Sequence, residues 1–158
     1  MEAAVDALAA VAASDAAAGA PPATDAARLS ATWRLLWTSE RETLFLLKNG
    51  IPFVGAAGES YQIIDAGAAT LRNIIVFAEG AAAFVVDASI QVQDATRVRF
   101  SFDGATLRRR RAKSVSLPPF GAGWVDHGYG DDALRVARDS RGDTLVVERA
   151  AMPWADVE

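Results

Sequence analysis

The stretch RVRFSFDGATLRRR, Arg97–Arg110, sets the period on which the whole chain is read. Val98, Phe100 and Phe102 alternate with Arg97, Arg99 and Ser101, so apolar and polar residues point to opposite faces. That period of two belongs to a half-buried strand and not to a helix. Asp103-Gly104 then supplies the dipeptide preferred in two-residue hairpin turns, which predicts a reversal there.

Working outward, the same period recurs. In TWRLLWTS, Trp33, Leu35 and Trp37 are expected on one face. LRNIIVFAEGAAAFVVDASIQV reads as two strands around Glu79-Gly80, and ALRVARDSRGDTLVVER as a hairpin turning between Ser140 and Asp143. Pro118-Pro119 and Gly121/Gly123 interrupt the chain before Trp124, and GAAG at Gly55 to Gly58 reads as a loop. Roughly eight to ten short strands joined by tight turns follow from these signals. A meander of that kind must hide its edges, and closure into a barrel does so. An eight-stranded barrel has an interior that can hold one small ligand, while a β-sandwich is the competing architecture.

The first residues differ. EAAVDALAAVAASDAAA, residues 2–18, is alanine-rich and free of proline and glycine, so it reads as a helix. Val5, Leu8, Val11 and Ala12 give it a thin apolar stripe, suited to loose docking or to lidding another element. Gly19 and Pro21-Pro22 end it, and Asp25 is placed to cap a short turn before Leu29. The expected organisation is an N-terminal helix and connector over 1–28, one β domain over 29–150 and a tail over 151–158.

The chain has 158 residues with 51% hydrophobic content, enough for one domain with its own core. A formal charge of −4 argues against general nucleic-acid binding. The absence of cysteine excludes disulfides, thiol nucleophiles and cysteine-ligated metals. No apolar run is long enough to span a bilayer as a helix. Glu2 and Asp6 do not suit a secretory signal, and the segment is too acidic for a transit peptide. If the protein is imported, this reads as its processed form.

The chemistry-bearing candidates are few. WVDHGYGDDALRVARD, Trp124–Asp139, holds the single histidine, His127. Zinc needs three or four ligands, and Asp126, Asp131 and Asp132 do not follow calcium-loop spacing. No G-x-S-x-G elbow, dinucleotide fingerprint or P-loop is present. His127 therefore reads as a solvated loop residue. Arg108, Arg109, Arg110 and Arg111, with Lys113, form a basic run in an acidic chain. It reads either as a solvated strand end or as a contact for anionic lipid headgroups. The aromatics at strand spacing are core in a packed barrel and pocket lining in a hollow one.

Three ordered blocks resemble the plastid lipid-associated protein (PAP)/fibrillin family. Leu29, Trp33, Leu35, Trp37, Thr38 and Ser39 follow its opening block, with Trp37 in place of a tyrosine. Gln62, Ile64, Asp65, Arg72 and Asn73 follow the second. Gly123, Trp124, Asp126, Tyr129, Asp131, Leu134, Arg135, Arg138 and Gly142 fill the third, and His127 stands outside it. The resemblance covers residues 29–149 and implies a lipocalin-like antiparallel β-barrel in plastids, associated with thylakoids or plastoglobules. It implies binding or organising of lipids, carotenoids or prenylquinones, membrane lipids or a thylakoid protein complex as partners, no catalysis, and no cofactor beyond such a ligand.

On that reading, Trp33, Leu35, Trp37, Tyr61 and Phe77 are expected to face the barrel interior. Val98, Phe100, Phe102, Trp124 and Tyr129 join them, and Trp124 is expected to plug the barrel against Trp33. Asp126 or Asp131 is expected to pair with Arg135 or Arg138 as a structural polar signature. An accessory subunit with a packed barrel is the alternative function.

Overall fold

The computed structural model describes residues 1–50, 54–55, 57–77 and 81–151. The Glu79-Gly80 turn, Phe53, Trp154 and nearly all of the 151–158 tail lie outside the described residues. The chain is mainly β, with nine strands in one antiparallel sheet and three helices among the described residues.

The helices come first. The alanine run forms α1, Glu2–Ala17, which packs on β7 (Ala122–Gly130) with Val5, Leu8 and Ala12 half-buried. Its stripe is thin, as its sequence implies, and Val11 stays exposed. The connector leads into α2, Ala26–Leu29, capped as anticipated: Ala27 N donates to Asp25 Oδ1 at 3.0 Å. This four-residue turn delivers Leu29, 1% exposed, into the core. A helix absent from the period-two reading, α3 (Arg41–Asn49), follows β1 (Ala31–Thr38) and packs on β2 (Ala57–Asp65).

The remaining strands are β3 (Thr70–Phe77), β4 (Ala82–Val92), β5 (Arg97–Arg109), β6 (Ala112–Leu117), β8 (Leu134–Asp139) and β9 (Thr144–Arg149). The hydrogen-bonded order is β4-β3-β2-β1-β9-β8-β7-β5-β6, and β4 also pairs β5. The pairing therefore returns on itself through eight strands, a ring and not the two packed sheets of a sandwich. Strand β5 is long enough to serve three neighbours. It pairs β4 throughout, β7 through Arg97–Ser101 and β6 through Ala105–Arg109. The β6 strand hangs off the ring as an edge, with every residue exposed.

The expected hairpin turn at Asp103-Gly104 is not one. Strand β5 runs straight through it, and the chain reverses at Arg110-Arg111. Asp103 is instead the extra residue of a β-bulge, since Asp87 faces Gly104 while Ala88 faces Phe102. A bulge shifts the alternation by one. The apolar phase accordingly moves from Val98, Phe100 and Phe102 to Ala105 and Leu107.

Bulges also correct two face assignments. In β1, Leu35 faces Val147 and Trp37 faces Val146, so Leu36 is extra and Trp37 turns away from the side that Leu35 occupies. In β7, His127 faces Ala137 and Tyr129 faces Val136, so Gly128 is extra and Tyr129 turns outward. Ala57 and Gly58, read as loop, are the first residues of β2.

Two buried clusters lie inside the ring and a third on its outer face. Leu29, Trp33, Ile64, Ile90, Val98 and Val147 form one buried cluster near the α2 end. Ile75, Phe77 and Ala82 form another, with Leu47 of α3 packed against it. Tyr61, Ile74, Val76, Ala83 and Val85 occupy the alternate positions of β2–β4 and make a third.

Candidate functional site

Interior strand positions enclose a cavity of about 500 Å³. Leu35, Leu71, Ile75, Phe84 and Val86 line it on one side, and Phe100, Phe102, Val125, Leu145 and Val147 on the other. Its size falls in the range of small-molecule pockets, about 300–1,000 Å³. Phe100 and Phe102 lie 5.0 Å apart, and Phe102 stacks on Phe120 at 5.0 Å. Phe120 is 53% exposed, so this aromatic row runs from the interior to the rim.

Polar stitching holds that rim. Thr38 Oγ1 donates to Thr144 O at 2.9 Å, and Ser39 Oγ donates to Asp143 Oδ1 at 3.0 Å. The Ser39 hydroxyl also accepts from Thr144 N, so the Thr-Ser pair ties β1 to the β8–β9 turn. Asp139 shapes that turn by accepting from Arg141 N and Asp143 N, both at 2.9 Å, around Gly142 at φ 89°. Glu40 and Arg141 bridge across the opening at 2.6 Å.

Toward α2 the space narrows to a second cavity of about 40 Å³. Gln62, Leu71, Phe100, Val125 and Leu145 border both. Leu29, His127 and Arg135 belong to the inner one. Here the expectation for His127 is overturned. It is 3% exposed on the inward face of β7, because the bulge at Gly128 leaves it in phase with Val125. Burial first, and the Arg135 charge second, hold its pKa well below the usual imidazole value, so it is neutral.

Arg135 is also 3% exposed. It reaches across the interior from β8 to donate through Nη2 to Gln62 Oε1 on β2. Its Nη1 lies 3.4 Å from His127 Nδ1, and its guanidinium sits 5.1 Å from the Trp33 ring centre. Among the described residues its Nε has no hydrogen-bond partner, nor does Oδ1 of Asn73, a residue that lines the larger cavity and pairs with Gln62 in the β2–β3 register. Burial alone pushes the Arg135 pKa down to about 9, which leaves it charged at neutral pH.

The PAP_fibrillin family model matches residues 2–148. The chain belongs to the PAP/fibrillin family. It is similar to the probable plastid-lipid-associated protein 11, chloroplastic, of Arabidopsis thaliana, at 43% identity over 128 residues, 81% of this chain. Those residues are 59% of that protein, so the chain spans about three fifths of the relative's length. No solved structure matches.

The PAP/fibrillin signature residues divide by face. Asp126 pairs with neither Arg135 nor Arg138. It takes both Nε and Nη2 of Arg97, its cross-strand neighbour on β5, each at 2.7 Å, although Arg138 is its neighbour on β8. Those bonds lower its pKa. Trp124 does not meet Trp33: it lies half-buried under Arg97, whose Cζ is 3.9 Å from the ring centre. Trp33 is fixed elsewhere, its indole donating to Leu29 O at 3.0 Å and its faces meeting Arg135 and Arg149. Asp131 accepts from the Tyr129 hydroxyl at 2.6 Å and from Ala133 and Leu134 amides, so it builds the β7–β8 turn. Burial works to raise its pKa, and these donors outweigh it. Arg138 is exposed.

Of the expected interior residues, Leu35, Tyr61, Phe100 and Phe102 border the large cavity and Val98 the small one. Trp33 and Phe77 are buried but border neither, and Trp37, Trp124 and Tyr129 face other directions. Tyr61 sits in the outer apolar cluster, where burial and its bond to Glu59 raise its pKa to about 12. The interior polar group of Gln62, Asn73, His127 and Arg135 was the feature that strand patterning passed over. Its signal was there: Gln62 and Asn73 stand in phase with the apolar residues Ile64, Leu71 and Ile75.

The basic run lies at the β5–β6 reversal. Arg109, Arg110, Arg111 and Lys113 are exposed there, with Arg109 Nη2 donating to Lys113 O at 2.6 Å. No helix among the described residues is long and apolar enough to cross a membrane.

Proposed function

We propose that this chain is a non-catalytic plastid lipid-associated protein of the chloroplast. Its ring of strands serves as a lipocalin-like barrel that takes up an apolar lipid, carotenoid or prenylquinone at the thylakoid or plastoglobule surface. The observation that carries this reading is the cavity of about 500 Å³, walled by aliphatic and aromatic side chains and continued to the rim by Phe102 and Phe120. A packed interior would offer no such space. Family membership and the chloroplastic relative point the same way.

Native purification, lipid extraction and mass spectrometry test it. The expected result is a stoichiometric apolar lipid that is lost in Val86→Trp, a substitution that fills the cavity from β4. A lipid-free protein, or one whose lipid survives that substitution, would reject the reading.

A second reading, an accessory subunit of a thylakoid assembly, draws on the edge strand β6. Val115, Leu117 and Phe120 are exposed there, beside the basic β5–β6 reversal. Peripheral contact with anionic lipid would use the same reversal, at about 1 kcal/mol per base near the surface. Flotation with anionic liposomes separates the two uses. Changing Arg108 to Arg111 to serine should abolish flotation if lipid is the contact, and equal flotation would remove that role.

A further inference from the structure

The Arg135 site departs from what a stable interior requires. A buried guanidinium carries a large desolvation cost and is normally compensated by a carboxylate with several hydrogen bonds. Arg135 is charged at neutral pH, yet no carboxylate reaches it among the described residues. Its partners are a neutral amide oxygen, a neutral imidazole nitrogen and an aromatic face. Of its guanidinium nitrogens, Nη2 and Nη1 meet Gln62 and His127, and Nε makes no bond among the described residues. Arg135 lines the inner cavity of about 40 Å³. About 10–15 Å³ suffices for one water, so that space accepts a group with two oxygens. The inner cavity adjoins the large apolar one through a shared wall of Gln62, Leu71, Phe100, Val125 and Leu145.

We propose that the cavity takes an amphiphile with a long apolar chain and a terminal carboxylate, whose head pairs with Arg135 beside Gln62 while its chain runs along Phe100 and Phe102 toward Phe120. The inference rests on the cavity-binding reading above and adds the chemistry and direction of the occupant. A carboxylate supplies both the missing charge and two acceptors for a guanidinium fork, in a head smaller than a phosphate and suited to the inner space of about 40 Å³. A neutral carbonyl or hydroxyl head would leave the charge uncompensated. The basic β5–β6 reversal cannot substitute for this site, because it lies outside the ring.

The test compares oleate with oleyl alcohol, which has the same chain and a neutral head. Both are titrated below their aggregation limits at pH 7.5, by displacement of an apolar fluorescent dye. Oleate should bind at least tenfold more tightly than the alcohol to the unaltered protein, a comparison that needs no variant to fold. Arg135→Leu should bring the ratio below twofold while retaining the alcohol, and Arg135→Lys should restore part of the preference. Replacing Arg109, Arg110 and Arg111 with serine should leave the ratio unchanged. Equal binding of acid and alcohol to the unaltered protein would overturn the carboxylate assignment and leave the apolar cavity standing. Displacement of oleate by millimolar acetate would reduce the site to a simple anion site and overturn the amphiphile. Binding of neither ligand would defeat the cavity reading itself.

Discussion

His127 offers a direct test of the interior, because the chain has no other histidine. In the folded protein its pKa lies well below 6.5, through burial first and Arg135 second. The unfolded chain binds its proton near pH 6.5. Between that value and the depressed folded value, the unfolded state holds one more proton than the native state. Stability is thus fully present above pH 6.5 and falls as the pH drops, by at most about 1.4 kcal/mol per unit. From pH 7 to pH 5 the loss is therefore at most about 2 kcal/mol. The depressed carboxylates, Glu59, Asp94, Asp126 and Asp131, act in the same direction but start from unfolded values of 4.5 or 3.8. They contribute little above pH 5, and their contribution cancels between variants. His127→Gln keeps an acceptor for Arg135 and removes the titration. Urea unfolding of both proteins at half-unit steps from pH 5 to 8 should show a fall below pH 6.5 only in the protein that keeps the imidazole. The Cε1 proton resonance of His127 should not shift across the same range. A folded-state titration near 6.5, or parallel stability curves, would refute the buried neutral imidazole.

Further perturbations probe other parts of the frame. Trp33→Phe removes the indole bond to Leu29 O at a site 1% exposed, orphaning a buried carbonyl, and weakens two cation–π contacts. A loss of about 2–4 kcal/mol should appear as a lower urea midpoint at unchanged slope, while Trp124→Phe, half-exposed under Arg97, should cost under about 1 kcal/mol. Thr38→Val removes the hydroxyl shared by the Thr144 carbonyl, which keeps Ser39 N as a donor, and the Glu40 amide, for a loss of about 0.5–1.5 kcal/mol by the same measurement. Gly123→Ala places a Cβ 2.7 Å from Ser140 Oγ and 2.9 Å from Phe100 Cζ. Phe100 can give way only toward the cavity, so binding of an apolar dye should weaken several-fold with the far-ultraviolet spectrum intact; undiminished binding would count against that geometry.

The strands were legible because their apolar residues alternate, and most of the turns because glycine, proline and aspartate punctuate them. Face assignment survived only as far as the first bulge in each strand. Asp103-Gly104 shows the reason: the same dipeptide that suits a hairpin also suits a bulge, and the two differ only in whether apolar residues resume in the opposite phase. They do, at Ala105 and Leu107, and β4 pairs across the whole stretch. The same one-residue slip moved Trp37 and Tyr129 off the interior. The α3 helix follows β1 after a gap of only two residues, so strand alternation read through TWRLLWTS gives no warning of it. The polar interior was hidden for a different reason. Pairing arguments along one strand reach only adjacent neighbours, whereas Arg135 meets Gln62 across the ring, 73 residues away in sequence.

That polar interior can be weighed against stability alone. Were Arg135 and His127 present to hold the fold, replacing them with apolar groups of similar volume would weaken it. Physical reasoning points the other way, because each is desolvated, Arg135 has no carboxylate partner, and Arg135 Nε is unsatisfied among the described residues. Buried charged groups of this kind are commonly replaced by packed apolar residues with a neutral or stabilising result of about 1–4 kcal/mol. The combined variant Arg135→Met with His127→Leu should therefore unfold at a higher urea concentration than the parent, with an unchanged slope. It should also lose the pH dependence below 6.5. Gln62 loses its Arg135 donor in the exchange, which offsets part of the gain by about 1 kcal/mol. A variant destabilised by more than that amount would show that the polar group supports the frame. A stabilised one would place its cost on the side of whatever enters the cavity.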